Sequence, residues 1–236
     1  MPEHTKTILC TRPVSDAAIE SAALQNILID VLSFIETTPL ETVEVQQEIE
    51  LAANEIATII FTSMNAVDVV ISMLDDYVPE WSIYCIGHKT KELAETYFGK
   101  DCIAGTADNA AELADKIIED GATDEVIFFC GNQRRDELPA KLQKYRIGVN
   151  EVVVYQTEYI KYKVDKVYDG ILFFSPSAAE SFFMQNNLAE QTIVFAIGQT
   201  TKTTIEKYCS NKIIVSKQPG KDHLVEMAVD FFVKVE

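Results

Sequence analysis

The sequence predicts an α/β protein of two homologous domains, each built on a parallel sheet, with one domain inserted in the other. Two segments, residues 85–97 and 196–208, are identical at six of thirteen aligned positions, and the strand and helix before them repeat at almost the same offset. A repeat at an offset of 111 or 112 residues is too long for a solenoid and indicates a duplicated domain. The strand-like runs are continuously apolar and alternate with helical segments, which is typical of parallel sheets covered on both faces.

Each copy carries the same series of elements in the same order. An apolar strand breaks at a serine and opens into a helix, in TIIFTSMNAV (58–67) and in GILFFSPSAA (170–179). A second strand ending in Ile-Gly, a helix, a short strand and a last helix follow in both copies. In three places a residue of the capping type stands three positions before an acidic residue, which predicts helix N-caps at Asn65, Asn109 and Ser177.

The segment that follows the first copy has its counterpart at the other end of the chain. Residues 125–157 add a further strand, helix and strand to the first copy, whereas no such segment follows the second. Residues 6–38 match residues 125–157 at an offset of 120, with identities at Cys10, Asp16 and Thr37. We therefore expect the N-terminal strand and helix to complete the sheet of the second copy.

This arrangement makes one domain discontinuous. We expect it to comprise residues 1–34 and 160–236, and the inserted domain to comprise residues 40–153. The chain then crosses between the domains at residues 35–39 and 154–159, which are rich in β-branched and aromatic residues. Such segments favour strand pairing, so the two crossings are predicted to form a two-stranded β-ladder that serves as a hinge.

Composition and charge exclude several classes of protein. The 236 residues are 47% hydrophobic, without an apolar run near the roughly 20 residues that span a bilayer. The first residues lack a basic stretch followed by an apolar core, so we expect a cytoplasmic protein. The formal charge of −17 repels nucleic acid and acidic membranes, so neither is an expected partner.

Cysteines, histidines and glycines indicate no metal, nucleotide or hydrolase site. The cysteines are odd in number and dispersed, which predicts buried thiols rather than disulfides. They are Cys10, Cys85, Cys102, Cys130 and Cys209. The three histidines lie too far apart to suggest a metal site. The sequence has no glycine-rich phosphate loop and no GxSxG motif, so we expect neither nucleotide use nor serine-hydrolase chemistry.

Polar residues and glycines follow the predicted strand ends in both copies. They are Ser63, Gly87, Ser175, Ser177, Gly198, Thr200 and Thr201. In parallel sheets, ligands bind beyond the carboxyl ends of the strands, where free helix N–H groups carry a partial positive charge. We therefore expect these residues to line a cleft shared by the two domains and to bind an anionic molecule.

Basic residues after strand ends also indicate an anionic ligand. The segments TRP, GHK and GNQRRDELP supply the candidate ligand contacts Arg12, Lys89, Asn132, Arg134 and Arg135. The alternative interpretation is that Arg134 and Arg135 only pair with surface acids such as Asp136.

Five segments resemble the uroporphyrinogen-III synthase family over nearly the whole chain. They are FTSMNAV (61–67), CGNQRRDELP (130–139), VVVYQT (152–157), FFSPSAAESF (173–182) and AIGQTT (196–201). The resemblance implies two flavodoxin-like domains joined by a β-ladder. Met64 and Gln199 stand where the family often has proline, and neither departure removes a side chain that chemistry would need.

The resemblance also implies a reaction without cofactor or metal. The family cyclises hydroxymethylbilane: its terminal hydroxyl leaves to give an azafulvene, and ring D is attacked at its substituted carbon. A spiro intermediate then closes as uroporphyrinogen III, with ring D inverted. The carboxylates on every ring of this small-molecule substrate suit anion-binding helix starts. Tyr155 in VYQT is the matching candidate for the proton donor that departure of hydroxide requires.

Three alternatives remain beside this interpretation. Tyr155 can be a hinge tyrosine that packs its ring and hydrogen-bonds locally. The chain can be a tetrapyrrole or small-anion binding module of the same fold, without catalysis. A periplasmic-type ligand binder also has two α/β lobes, but the lack of a signal sequence and the dispersed cysteines count against it. We expect a monomer.

Overall fold

Strands and helices alternate along the chain. The computed structural model describes residues 5–218 and 220–234. Its strands are β1 (Lys6–Cys10), β2 (Ile27–Val31), β3 (Ile35–Pro39), β4 (Ala57–Phe61), β5 (Trp81–Ile86), β6 (Ile103–Ala107), β7 (Glu125–Gly131), β8 (Gly148–Tyr159), β9 (Gly170–Phe173), β10 (Ile193–Ala196) and β11 (Ile213–Val215). Its helices are α1 (Asp16–Ala23), α2 (Val43–Ala53), α3 (Met64–Met73), α4 (His88–Phe98), α5 (Ala110–Asp120), α6 (Glu137–Lys144), α7 (Pro176–Phe183), α8 (Gln199–Ile205) and α9 (Lys221–Lys234).

The chain forms two compact units, and each has its own parallel sheet. Unit 1 comprises Met1–Glu36 and Glu158–Glu236, and unit 2 comprises Thr37–Thr157. The sheet of unit 1 has the strand order β11-β10-β9-β1-β2, and the second sheet has the order β6-β5-β4-β7-β8, with β3 beside β8. The predicted α/β class with two similar parallel sheets is confirmed. The hinge role of the paired strands β3 and β8 stays a prediction.

The N-terminal strand lies inside the sheet of unit 1. β1 pairs in parallel with β9 on one side, where Ile8 is opposite Gly170, and with β2 on the other. Ile8, Leu9 and Cys10 are fully buried. Residues from opposite ends of the chain therefore build one sheet, which confirms the expectation that we drew from the offset of 120.

Helices cover both faces of each sheet. In unit 1, Ile8 and Cys10 belong to an apolar cluster that includes Leu224 of α9, while Leu9 belongs to a second cluster with Phe182 of α7. Side chains alternate between the two faces of a strand, so a strand covered on both faces must be continuously apolar. The central strand β4 of unit 2 divides its residues between two clusters in the same way.

The five cysteines are unpaired, and Cys10, Cys85 and Cys130 are buried as predicted, whereas Cys102 and Cys209 are only partly buried. Burial raises the pKa of the Cys10 thiol to about 12, and it raises those of Cys85 and Cys130 to about 11. A thiol with so high a pKa is protonated at neutral pH and is a poor nucleophile. Within residues 5–218 and 220–234, no cluster of His, Cys, Asp and Glu could hold a metal ion. None of the described helices has the length and apolar character that crossing a bilayer demands.

Candidate functional site

Predicted site residues lie at the carboxyl edge of each sheet. They are Arg12, Ser175 and Gly198 in unit 1, and Ser63, Gly87 and Asn132 in unit 2. The first set follows β1, β9 and β10, and the second set follows β4, β5 and β7. The strands that precede each set are neighbours in their own sheet. Neighbouring parallel strands end at the same edge, so each unit presents its set of three residues on one side.

The helix caps at these edges differ from the predicted ones by two residues. Ser63 Oγ accepts a hydrogen bond of 3.1 Å from the N–H of Asn65, and Ser175 Oγ accepts one of 3.1 Å from the third residue of α7. The predictions of Asn65 and Ser177 as N-caps are therefore wrong. Pro176 has no N–H and fits the first helical position, which moves the cap to the serine before it. Ser177 Oγ lies 3.2 Å from Ser175 Oγ.

Two helices at these edges begin at a glycine. Gly87 precedes α4 with a φ of 76°, which favours glycine, and Gly198 precedes α8. In the described part of the chain, no side chain caps the first N–H groups of either helix. Lys89 and Thr200 are exposed, whereas Thr201 is only 2% exposed. The structure therefore brings Thr200, and not Thr201, to the surface of unit 1.

Arg134 is neutralised inside unit 2. Its guanidinium forms ion pairs with Glu151 of β8 and with Asp136 just before α6, and its side chain is 27% exposed. The alternative of pairing with nearby acids therefore describes Arg134 better than a free cation does. Arg135 is exposed, and no carboxylate of the described residues lies within ion-pair distance of it.

Replacing Arg134 with Gln is expected to lower the free energy of unfolding by no more than about 1 kcal/mol, because partly exposed ion pairs contribute little. The loss should shrink at high salt, which screens the charges. Urea unfolding at two ionic strengths measures both effects. Arg135→Gln is the matched control, since Arg135 has no ion pair to lose, and equal losses for the two variants would contradict the pairing.

Arg12 has an unmet hydrogen-bonding group. Its side chain is half-buried after β1, and its Nε is shielded from solvent without a hydrogen-bond partner among the residues that the structure describes. Burial lowers the pKa of the guanidinium, because the charged form loses hydration. A partly buried cation without a partner is costly, and an anion that accepts its hydrogen bonds would offset that cost. Arg12 is thus the best-supported anion contact in unit 1.

Tyr155 lies beside Ser63 at the carboxyl edge of unit 2. It belongs to β8 and, after a register shift between Cys130 and Gly131, it is opposite Gly131 at the end of β7. Burial raises the pKa of the Tyr155 phenol, and a hydrogen bond with Ser63 lowers it in part. The phenol therefore keeps its proton at neutral pH, next to a hydroxyl that can stabilise a phenolate.

Asn132 fixes the strand that carries Tyr155. The N–H of Asn132 donates to the Tyr155 carbonyl oxygen at 3.1 Å, and its side-chain Oδ1 accepts from the N–H of Thr157 at 2.8 Å. Gln133 Nε2 donates to the Thr157 carbonyl oxygen at 3.0 Å. The side-chain oxygen of Asn132, a candidate ligand contact, is thus engaged within unit 2. Gln133 was not identified from the sequence, because its partner is 24 residues away along the chain.

The last residue of β8, Tyr159, belongs to unit 1 and is held by a carboxylate of the same unit. Tyr159 Oη donates to Glu180 Oε2 at 2.5 Å. Burial and this hydrogen bond raise the pKa of Tyr159. The Tyr159 hydroxyl is therefore occupied by Glu180 of α7. No sequence pattern predicted this hydrogen bond.

Two cavities lie away from most of the predicted site residues. A cavity of about 780 Å³ between α1 and α9 contains none of them. Another of about 400 Å³ adjoins Gly87, with Lys91 and Lys116 in its wall. These lysines are ion-paired with Glu95 and Asp120, at 3.3 Å in each case. Neither cavity therefore marks an anion site.

Comparison with known proteins gives consistent results. A family model described as uroporphyrinogen-III synthase HemD matches residues 18–226. The uroporphyrinogen-III synthase of Saccharomyces cerevisiae is 31% identical over 145 residues, which cover 51% of this chain. The chain spans about half the length of this curated relative, since the match covers 53% of it.

Solved structures resemble the whole chain in fold. A mutant uroporphyrinogen III synthase from the extremely thermophilic bacterium Thermus thermophilus aligns with a TM-score of 0.69 at 9% identity, over 98% of this chain and 100% of that one. The uroporphyrinogen-III synthetase of Helicobacter pylori 26695 aligns with a TM-score of 0.64 at 16% identity, over 96% and 99%. At these identities the likeness concerns the fold alone.

Proposed function

Since the chain belongs to the uroporphyrinogen-III synthase family, we propose that it cyclises hydroxymethylbilane to uroporphyrinogen III, as a cyclising lyase of tetrapyrrole (haem) biosynthesis. The terminal hydroxyl of the bilane leaves as water, an azafulvene forms, and a spiro intermediate closes with ring D inverted. The reaction needs a proton donor and a curled substrate, so we propose that neither a cofactor nor a metal takes part.

The position of Tyr155 is the observation that carries this proposal. Its phenol lies at the carboxyl edge of unit 2, where ligands of parallel sheets bind. Because burial raises its pKa above the usual value of about 10, the phenol is almost fully protonated at pH 7. A hydroxyl leaving group needs such a proton at the moment of departure.

In the proposed reaction, Tyr155 both donates the proton that is needed and takes back the proton that is released. The phenol donates its proton to the departing hydroxyl, the C–O bond breaks, and water leaves as the pyrrole nitrogen supplies its electron pair. The Ser63 hydroxyl, which interacts with the phenol, stabilises the resulting phenolate. The proton lost when the macrocycle closes returns to Tyr155, so the net change is the loss of one water.

Each unit offers its own groups that could bind the carboxylates of the substrate. Unit 1 offers the unpartnered Nε of Arg12 and the exposed Thr200, and unit 2 offers Arg135, Lys89 and the uncapped helix start after Gly87. Helix N–H groups and guanidinium groups both favour carboxylates. We propose that these groups hold the bilane curled, which favours closure at the inverted carbon over spontaneous closure.

Incubation of the purified protein with hydroxymethylbilane tests the proposal. Oxidation of the products and separation of the isomers should show mainly the type III isomer, formed faster than the spontaneous type I product. Exclusive formation of type I would contradict the proposal. Saturable binding of the bilane without turnover would identify a binding module instead.

Replacing Arg12 with Gln is expected to raise KM by roughly tenfold or more, because a hydrogen bond to a charged group contributes about 1.5–3 kcal/mol. The kcat and the isomer ratio should change little, since Arg12 is not proposed to transfer a proton. Initial rates over a range of bilane concentrations measure the effect. Arg146→Gln removes the same charge from an exposed residue before the start of β8 and should leave KM unchanged. Equal KM values for the two variants would remove Arg12 from the binding site.

We also propose that the protein works as a cytoplasmic monomer. Its five unpaired cysteines fit a reducing compartment. Analytical ultracentrifugation of the purified protein at micromolar concentration should give a single species of about 26.4 kDa.

A further inference from the structure

The end of β7 accommodates the Tyr155 ring because residue 131 has no side chain. A Cβ placed on Gly131 would lie 2.4 Å from Cζ of Tyr155, 2.5 Å from Cε2 and 2.8 Å from the hydroxyl oxygen. Carbon atoms in contact prefer separations of about 3.5–4.0 Å, so these approaches are strongly repulsive. The crowded atoms belong to the phenol end of the ring, which carries the proton.

The backbone at residue 131 does not itself require glycine. Several glycines of the chain, among them Gly87 and Gly121, have a positive φ that other residues avoid, but Gly131 does not. Residue 131 is the last residue of β7 and pairs in parallel with β8. An alanine would suit this backbone, so the need for glycine comes from the Tyr155 ring.

The ring has little freedom to move away from Gly131. Cys130 pairs with Val153 and Gly131 pairs with Tyr155, so the register shift skips one residue of β8 and turns Tyr155 towards the end of β7. The hydrogen bonds of Asn132 to the Tyr155 carbonyl oxygen and to the Thr157 N–H fix the strand at this point and just after it. A displaced ring must therefore rotate about its own side-chain bonds.

We propose that Gly131 is a positioning residue for the reaction, because its bare Cα is the surface on which the Tyr155 phenol lies beside Ser63. The inference rests on the proposed function for the role of Tyr155 as proton donor. A side chain at residue 131 pushes the phenol away from Ser63 and from the leaving hydroxyl. It does so without removing any group that contacts the substrate.

Unit 2 contains a matched glycine under another tyrosine. A Cβ on Gly105 would lie 2.8 Å from Cδ1 and from Cε1 of Tyr84, whose hydroxyl donates to Asp120 at 2.9 Å. Gly105 lies in β6, at the opposite edge of the sheet from β8. Gly105→Ala therefore creates the same kind of clash in the same unit, away from Tyr155.

NMR of protein labelled with [ζ-¹³C]tyrosine tests the position of the phenol without any substrate. The Tyr155 signal is identified by its loss in Tyr155→Phe. In Gly131→Ala we expect this signal to shift and the Tyr155 titration to change, because displacement of the ring alters both its burial and its hydrogen bond with Ser63. Gly105→Ala should shift the Tyr84 signal and leave that of Tyr155 in place. An unchanged Tyr155 signal and titration in Gly131→Ala would overturn the inference.

A stability cycle covers the case in which Gly131→Ala alone does not fold. The double variant Gly131→Ala/Tyr155→Ala lacks the ring that the new methyl group would meet. We expect it to fold and to unfold in urea at the same midpoint as Tyr155→Ala, since residues that clash are strongly coupled. A double variant that remains unfolded would overturn the inference, because the clash would then involve other neighbours.

Measurements of kcat and KM distinguish a role of Gly131 in positioning Tyr155 from a role in packing alone. We expect Gly131→Ala to lower kcat by roughly 10- to 100-fold with KM nearly unchanged, while Gly105→Ala keeps the wild-type kcat per folded molecule. In the Tyr155→Phe background, Gly131→Ala should cause no further loss. An equal further loss there would show that Gly131 does not act through Tyr155. If the wild-type protein fails to turn over the bilane, the proposed function fails, and the NMR and stability results still decide the position of Tyr155.

Discussion

Replacing Tyr155 with Phe is expected to lower kcat about 100-fold, the lower end of what general acid catalysis contributes. Phenylalanine keeps the ring over Gly131 and removes only the hydroxyl, so KM should change little. The free energy of unfolding should fall by about 1 kcal/mol or less, because the variant loses the hydrogen bond between the phenol and Ser63 and keeps the ring. As the enzymatic rate falls, spontaneous closure should raise the share of the type I isomer.

The pH dependence of kcat gives a second test of Tyr155 as the proton donor. The pKa of Tyr155 is raised by burial, so its proton is present at neutral pH and is lost only as the pH rises above about 10. We expect kcat of the wild-type protein to be constant between about pH 7 and 9 and to decline only as the pH rises above about 10. Tyr155→Phe should lack this alkaline decline.

Tyr159→Phe is the matched control, because it removes a hydroxyl from the same strand. Its partner is Glu180 and not a proposed substrate group, so the variant should lose about 0.5–1.5 kcal/mol of stability and keep its kcat. Stopped assays on both variants, corrected for the folded fraction, compare them directly. If both variants turn over at the wild-type rate, Tyr155 is not the proton donor.

Tyr155 was accessible from the sequence, but the residues that position it were not. The family motif identified its place in VYQT, whereas the role of Gly131 depends on a register shift between β7 and β8. No pattern in either segment reveals that one residue of β8 is skipped. The same limit applies to Asn132, whose side chain bonds to a residue 25 positions away.

Charge pairing was equally hidden from the sequence. Arg134 was expected to meet either the substrate or a surface acid, and its main partner proved to be Glu151, which is 17 residues away on the adjacent strand. Neighbouring residues in a sheet are separated by a whole helix along the chain. Sequence proximity therefore suggested Asp136 and could not suggest Glu151.

Local capping patterns predicted one helix start correctly and two incorrectly. Asn109 caps α5 as expected, with a hydrogen bond of 3.0 Å from Glu112. The patterns at Asn65 and Ser177 resemble it, but serines two residues earlier already accept from the first turns. When two capping residues stand two positions apart, the strand end decides which one is used, and a sequence pattern does not fix that end to one residue.

The fold was more accessible because it repeats. Matching offsets of 111, 112 and 120 residues related the segments of the two copies to one another. The offset of 120 predicted that the N-terminal strand completes the sheet of the second copy, and in the structure β1 pairs in parallel with β9. The proposed domain boundaries follow from this duplication. They predict which fragments of the chain can fold on their own.

Unit 2 is expected to fold as an isolated fragment, and the C-terminal part of unit 1 is not. Residues 37–157 include the complete strand order β6-β5-β4-β7-β8 and both apolar clusters of that sheet. Residues 158–236 lack β1 and β2, so β9 keeps β10 but loses its partner on the other side, and Leu172 loses Ile8 and Cys10 from its apolar cluster. Far-UV circular dichroism and urea unfolding should show a cooperative transition for the first fragment and none for the second.

Mixing residues 158–236 with a peptide of residues 1–36 should restore unit 1. The peptide adds β1 and β2 to the sheet beside β9, and Leu9 is fully buried there, so Leu9→Ala should cost about 2–5 kcal/mol and prevent association. Leu24→Ala is the control peptide, because Leu24 is 89% exposed and its loss should leave association intact. Cooperative unfolding of residues 158–236 alone would show that the domain does not depend on its N-terminal strand. Residues 1–36 would then belong to unit 1 by position, and the folding of residues 158–236 would not require them.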